Sequence, residues 1–203
     1  MDESSGTVAQ DQRGVNPGRY RNSPTLAQTG ALAGDPDTAV RLNGTSQYIT
    51  VPYSLNLNPH TFSVEAWVYP TGGNGSYRGV MTSRYYPQGW VVYAGSGNQW
   101  EFWLNNGKGM LELAGGTVTL NQWAYVVGTF DGATAKLYVN GVLVKSGTVR
   151  SYTPQSGYAE AIGQSEPGSN FWFPGVVDEP AVYGGALSAT QIQNHYSIAT
   201  TGH

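Results

Sequence analysis

The stretch WAYVVGTFDGATAKLYVNGVLVKSG, Trp123 to Gly147, holds two tight-turn dipeptides, Asp131-Gly132 and Asn140-Gly141, between runs rich in β-branched and aromatic residues. Tight hairpin turns need positive φ at their centre, which Asn, Asp and Gly tolerate, and they join strands that hydrogen-bond directly. The stretch therefore predicts three consecutive antiparallel strands. From Ala39 onward the same pattern recurs: AVRLNG, QYITVPY, TFSVEAWVYP, GVMTSRYY, GWVVYAGS, QWEFWLNNG, MLELAGG, YAEAIGQS and FPGVVDEPAVYGG are short apolar runs punctuated by Gly, Pro or Asn. About a dozen strands at this spacing, with no helices between them, predict an all-β fold, a two-sheet antiparallel jelly-roll sandwich.

In TFSVEAWVYP, Phe62, Val64, Ala66 and Val68 fall on one face of a strand and Ser63, Glu65, Trp67 and Tyr69 on the other. Bulky groups on both faces predict a central strand. Ser188 ahead of ATQIQNHYS, with Leu187, Ile192 and Tyr196 about one turn apart, predicts one short C-terminal helix. The first 38 residues, rich in Gly, Asn, Pro and Ser, predict an irregular N-terminal arm with one or two short edge strands, packed on a single domain spanning 1–203.

The formal net charge is -3 and no block of Lys and Arg occurs, so the electrostatic attraction that nucleic acid or an anionic bilayer requires is missing. No run is apolar and long enough for membrane insertion. Cysteine is absent, which excludes disulfides, thiolate metal sites and thiol nucleophiles. The polar, acidic MDESSGTVAQ lacks the pattern of an export signal and suggests a segment excised from a longer, secreted or surface protein, whose other domains would be its neighbours.

Taken in order, LNGTSQYITVPYS, TFSVEAWVYP, NQWAYVVGTFDGATAKLYVNGV and GVVDEPAVYGGALSATQIQNHY resemble the successive blocks of the laminin-G-like domains of the concanavalin A-like lectin/glucanase superfamily, in their bacterial form. The resemblance covers roughly Asp2 to Tyr196. It implies two curved antiparallel sheets, glycan binding, an extracellular or cell-surface location and, frequently, a calcium ion. For the ion it implies Asp178, within the apolar run VVDEPAV, together with the N-terminal Asp11 and a carbonyl from the Asn43-Gly44 turn, Gly44 being the donor. Oxygen-only ligation suits Ca²⁺, which would also offset the cost of burying an acid. The alternative for Asp178 is capping of backbone amides, and for Asp11 a solvated turn.

Glycoside hydrolysis needs two carboxylates facing one sugar. Enzymes of the superfamily that this chain resembles place them as Glu-x-Asp-x-x-Glu on one strand. Here Glu65, Glu101 and Glu112 stand singly, and Asp178 and Glu179, being adjacent, are expected to point to opposite faces. A cross-strand pair such as Glu65 with Glu101 stays open, and with it a glycoside hydrolase or polysaccharide lyase. His60, His195 and His203 lack a metal-ligand or triad spacing and are expected at the surface.

The chain carries 6 Trp and 14 Tyr. Sugars stack their C–H faces on flat rings beside polar side chains. SRYYPQGW supplies Arg84, Tyr86 and Trp90; QWEFWLNN supplies Glu101, Trp103 and Asn105; GSNFWFPG supplies Trp172. Trp100, alternating with Phe102 and Leu104, is expected in the core by pattern, and the resemblance implies the same for Trp67 and Trp123. These features point to a non-catalytic module that binds an oligo- or polysaccharide or mediates adhesion; a structural or protein-interaction spacer is the alternative.

Overall fold

In the computed structural model, which describes residues 1–202, the two turns close as their sequences require. Asn140 and Gly141 have φ of 51° and 78°, and the Asp131 carboxylate accepts the amides of Ala133 and Thr134. The strands are β1 Val8–Ala9, β2 Gly18–Arg21, β3 Thr25–Thr29, β4 Thr38–Asn43, β5 Tyr48–Val51, β6 Phe62–Pro70, β7 Arg78–Tyr85 and β8 Gln88–Ala94. They continue with β9 Gln99–Asn105, β10 Met110–Thr117, β11 Ala124–Phe130, β12 Thr134–Val139, β13 Val142–Thr148, β14 Glu160–Ile162 and β15 Pro174–Tyr183, before the helix α1 Ala189–Thr201. His203 lies outside the described residues.

An eight-stranded sheet runs β1-β2-β5-β14-β7-β8-β9-β10 and a seven-stranded sheet β13-β12-β11-β6-β15-β4-β3, all neighbours antiparallel. The expected all-β sandwich with one C-terminal helix is therefore what forms. The first 38 residues do more than the arm predicted for them: β1 and β3 end the two sheets, and β2 pairs with β5 inside one. Their short, Gly- and Pro-broken runs hide the pattern, because edge strands gain most of their order from a neighbour.

The core between the sheets takes the inward side chains of both, including Phe62, Val64, Ala66 and Val68 of the central β6, and Trp90, Trp100 and Phe102 opposite them. Gly128 of β11 is a packing requirement: a Cβ there would lie 2.7 Å from the Phe102 ring. On the outer face of the seven-stranded sheet, α1 packs Ile192 and Tyr196 on Trp67 and Tyr125, with Trp123 half-buried beside them. A capping box of Ser188 and Gln191 starts this helix and Gly202, with φ 71°, ends it. It is not long and apolar enough to cross a membrane.

Among the described residues, one inward side chain is an acid without a charge partner. Glu160 of β14 shares the face of Ile162, is 4% exposed, and its Oε1 has no hydrogen-bond partner. Burial drives its pKa well above the usual carboxylate value, offset in part by a hydrogen bond with Ser83. The neutral acid is thus the form that the fold accepts. Its stabilising contribution is complete below the unfolded-state value, about 4.3, and is lost as pH rises through the raised folded-state value. Thermal melts from pH 5 to 9 should show wild-type stability declining toward alkaline pH and a flatter profile in Glu160→Gln; identical profiles in the two proteins would refute this.

Candidate functional site

Because Trp90, Val92, Trp100, Phe102 and Leu104 point into the core, the alternating residues of the same strands must face the other way. Val91 and Tyr93 of β8, and Glu101, Trp103 and Asn105 of β9, therefore share the outer face of the eight-stranded sheet, joined by Arg84 of β7 through its register with Gly89. Tyr93 and Trp103 meet edge to face at 4.9 Å, Tyr77 lies 5.3 Å from each, and Phe171 lies 5.5 Å from Tyr77.

Arg84 organises this surface. Its guanidinium is 5.6 Å from the Tyr86 and Trp103 rings alike, its Nη1 is 3.4 Å from the Tyr93 hydroxyl and 3.5 Å from Glu166 Oε1. The segment from Gly163 to Phe173 is strapped across the sheet by that ion pair, by a hydrogen bond between Ser165 and the Tyr93 hydroxyl, and by the Gly79 amide on Phe171 O at 3.0 Å. Burial raises the Tyr93 pKa, the Ser165 bond and the Arg84 charge opposing it. Burial also raises that of Glu101; the Trp103 indole N–H, which donates to Glu101 Oε2 at 2.8 Å, works against the rise and the Glu112 charge adds to it. Gly95 leaves room for that carboxylate, since a methyl there would collide with it.

The structure brings Arg84, Tyr86, Glu101, Trp103 and Asn105 to one face and separates Trp90 from them. Trp90 is 0% exposed and packs on Phe62, so the ring offers no face to a ligand; its expected role is corrected to core packing. Trp103 is only 8% exposed, covered by Tyr77 and Arg84. Asn105 is buried and donates to Gly89 O at 3.0 Å, bracing β8 against β9. Trp172 is half-buried, bridged to Gln164 and edge-on to Tyr48 at 5.5 Å.

What remains open to solvent is the Phe171 ring over Tyr77 and the rim. Tyr86 is 52% exposed, and the exposed rings of Tyr85 and Tyr158 stack with centroids 3.8 Å apart. Tyr85, Tyr86, Glu166, Pro167, Gly168 and Ser169 line a shallow groove of about 360 Å³, and the Tyr86 amide donates to Glu166 Oε2 at 3.1 Å. Glu166 and Tyr158 were not among the expected site residues. The turn signal Glu-Pro-Gly-Ser at 166–169 marks a surface loop, but nothing in it says that the loop returns to Arg84.

The expected metal ligands do not come together. Asp11 accepts the amides of Arg13, Val15 and Asn16, and although burial opposes ionisation these bonds hold its pKa below the ordinary value; it caps its own turn. Gly44 lies against Pro174, four residues along β15 from Asp178, roughly 13 Å at the rise of a strand. Asp178, 1% exposed, accepts the amides of Ala31 at 2.8 Å and Glu179 at 3.1 Å. Instead, Asp2, Asp37 and Glu179 place carboxylate oxygens within 4.8 Å of one another. The signal was displaced by a bulge: Glu179 has φ 46° and the register shifts between Asp178 and Ala181, so the two adjacent acids do not follow simple alternation.

Glu65 and Glu101 cannot flank one sugar, since they occupy opposite outer faces of the sandwich. Glu65 accepts hydrogen bonds from Tyr125 at 2.5 Å and Tyr183 at 2.7 Å, and His195 Nδ1 lies 3.1 Å away. His195, expected as a plain surface residue, thus ties α1 to β6.

A family model described as the concanavalin A-like lectin/glucanases superfamily matches residues 43–193. No curated protein sequence is significantly similar to the chain. Domain 4 of AbnA, a GH43 extracellular arabinanase from Geobacillus stearothermophilus, solved in complex with arabinotriose, superposes with a TM-score of 0.72 at 22% identity, over 92% of this chain and 91% of that one. The binding domain of Paraclostridial Mosquitocidal Protein 1 superposes with a TM-score of 0.73 at 13% identity, over 94% and 51%. The binding domain of botulinum neurotoxin DC, in complex with rat synaptotagmin II, gives 0.70 at 13% identity, over 98% and 52%. The chain thus spans about half the length of the toxin binding domains.

If Arg84 is the organiser, Arg84→Ala should cost about 1–3 kcal/mol in urea unfolding, less than a fully buried broken pair because Glu166 keeps contact with water. It should also loosen Tyr86, read as altered aromatic proton shifts. A loss below about 0.5 kcal/mol, the range of ordinary surface changes, would show the strap to be held by other contacts.

Proposed function

The chain belongs to the concanavalin A-like lectin/glucanase superfamily, and from that premise we propose that residues 1–203 act as one non-catalytic carbohydrate-binding module that works outside the cell beside other domains. The observation that carries this reading is the exposed Tyr86 ring beside a groove whose other walls supply the Glu166 carboxylate and the Ser169 hydroxyl. An exposed flat ring next to fixed polar groups is what a sugar's C–H face and hydroxyls need. Arg84 supports the site from below: it lies over Tyr86 and pairs with Glu166, so ring and acid are positioned before a ligand arrives. The arabinotriose complex of the similar arabinanase domain supports an oligosaccharide ligand, and that protein's description as extracellular supports the location.

Trp103 and Glu101 then serve as the floor of the site rather than its contact surface. Tyr86→Ala should reduce retention in affinity gels across plant, algal and microbial polysaccharides by about tenfold or more in Kd. Trp103→Phe should retain most of the affinity. The reverse ranking would overturn the rim assignment, and no retention on any glycan would favour a protein partner, the kind of ligand seen in the toxin domain bound to synaptotagmin II.

Calcium fits the acidic triad by donor chemistry. Asp2, Asp37 and Glu179 offer hard oxygen ligands only, and the pKa values of Asp37 and Glu179 are raised by burial and then by neighbouring carboxylates, a repulsion that the Met1 ammonium, 3.2 Å from Asp2, offsets in part and a divalent cation would relieve further. An ion there would fasten the N-terminal arm and the start of β4 to β15, a structural role. Millimolar calcium should raise the melting temperature over EGTA, by about 2.7 kcal/mol in stability at a hundred times Kd. Glu179→Gln should remove that response and Asp11→Asn should not. Equal melting temperatures in calcium and EGTA would exclude the ion.

A further inference from the structure

A second groove, larger than the one at the rim, lies away from Tyr86. It holds about 610 Å³ and runs between the residues leading into β1, Tyr20 of β2, and the turn and first residues of β3. β1 and β3 are the terminal strands of the two sheets on the same side of the sandwich, so the groove follows its open edge.

Its lining is uncharged and rich in hydroxyls. Ser4, Ser5, Thr7, Ser23 and Thr25 are all exposed, and none of their hydroxyls has a hydrogen-bond partner among the described residues. Tyr20 and Pro24 are buried and Leu26 is half-buried, which gives the groove an apolar floor. The walls are held in place. Gln47 Nε2 donates to the carbonyls of Asn22 at 3.2 Å and Ser23 at 2.8 Å, and Asn22 Nδ2 donates to Ser46 O at 2.7 Å. Tyr20 is fixed by its hydroxyl on Glu3 at 2.6 Å and its amide on Thr7 O at 2.9 Å.

We infer that this groove is a second carbohydrate site, selective for neutral oligosaccharides. A hydroxyl both donates and accepts, so a row of unengaged Ser and Thr hydroxyls complements a row of sugar hydroxyls without fixing either partner's polarity. Sugar C–H faces would rest on Pro24 and Leu26. Without a cationic side chain in its lining the groove gives an acidic glycan no counter-charge. An added peptide strand is disfavoured, because β3 is interrupted by Ala27 at φ 53° and a register shift between Thr25 and Gln28. The site is separate from the rim: β2 and β7 are three strand spacings apart, roughly 14 Å.

The test is an amide-resolved NMR titration of the whole chain with arabinotriose, xylotriose, cellotriose and, as the acidic counterpart, trigalacturonate. The signals of Gly6, Thr7, Asn22 and Ser23 should move saturably with at least one neutral trimer and not with trigalacturonate. Ser5→Arg and Thr25→Arg, two exposed positions on opposite walls, should each weaken that response by about tenfold, and Tyr86→Ala should leave it intact. Shifts confined to Tyr86 and Ser169 would overturn the groove and leave the rim standing. Shifts confined to the groove would overturn the rim and leave the groove. Silence at both overturns both, and an equal response to trigalacturonate overturns the neutral selectivity.

Discussion

Phe62 reaches from the seven-stranded sheet to Trp90 and Phe102 of the other, at 5.9 and 6.1 Å, and touches Phe130 of its own at 6.1 Å. That contact sets the phase of the strands on both sides. With a period of two, putting Trp90 and Phe102 inside obliges Tyr93, Glu101 and Trp103 to be outside. A one-residue slip of β8 or β9 would exchange core for surface and remove the aromatic floor from beneath the rim. The chemistry of the outer face is therefore a corollary of core packing, and Gly128 belongs to it as much as any polar residue, because it admits the Phe102 ring.

The two outer faces are finished differently. One is closed by a helix, whose Ile192 and Tyr196 cover Trp67 and Tyr125 while His195 joins two tyrosines on Glu65. The other is crossed by an irregular segment held through Arg84, Ser165 and Phe171. A helix leaves little backbone free to meet a ligand, whereas an irregular segment presents side chains whose identity the core does not dictate. The asymmetry explains why the exposed Tyr86 and Phe171 rings lie on the second face.

Much of the architecture was legible in short runs. Period-two alternation in TFSVEAWVYP identified β6 as central, the Asn-Gly and Asp-Gly dipeptides located two hairpins, and Ser188 marked the start of the helix. The site was legible only as a face. The spacing of Glu101, Trp103 and Asn105 puts them on one side of β9, but exposure depends on what crosses above, and Glu166 is some sixty residues away in the chain. Trp90 misled because it adjoins Tyr86 in sequence across a turn, where proximity says nothing about side. The acids of β15 misled because a bulge at Glu179 breaks the alternation that any reading of adjacent residues assumes. Strand pattern is local information, whereas covering, bulging and edge pairing are set by partners distant in sequence.

The last strand is not at the margin of its sheet: β15 enters between β6 and β4, pairing residues after 173 with residues near 40 and near 68. During synthesis β6 and β4 must wait, each with an open edge, until more than a hundred further residues have been added. Such pairings carry a large loop-closure entropy and place a β-rich chain toward the slow end of folding rates. While the seam stays open, Val40, Val64 and Val68 belong to unjoined strands that could pair with another molecule. The keystone arrives last, so the nascent chain is most exposed to misassembly just before the sheet becomes continuous.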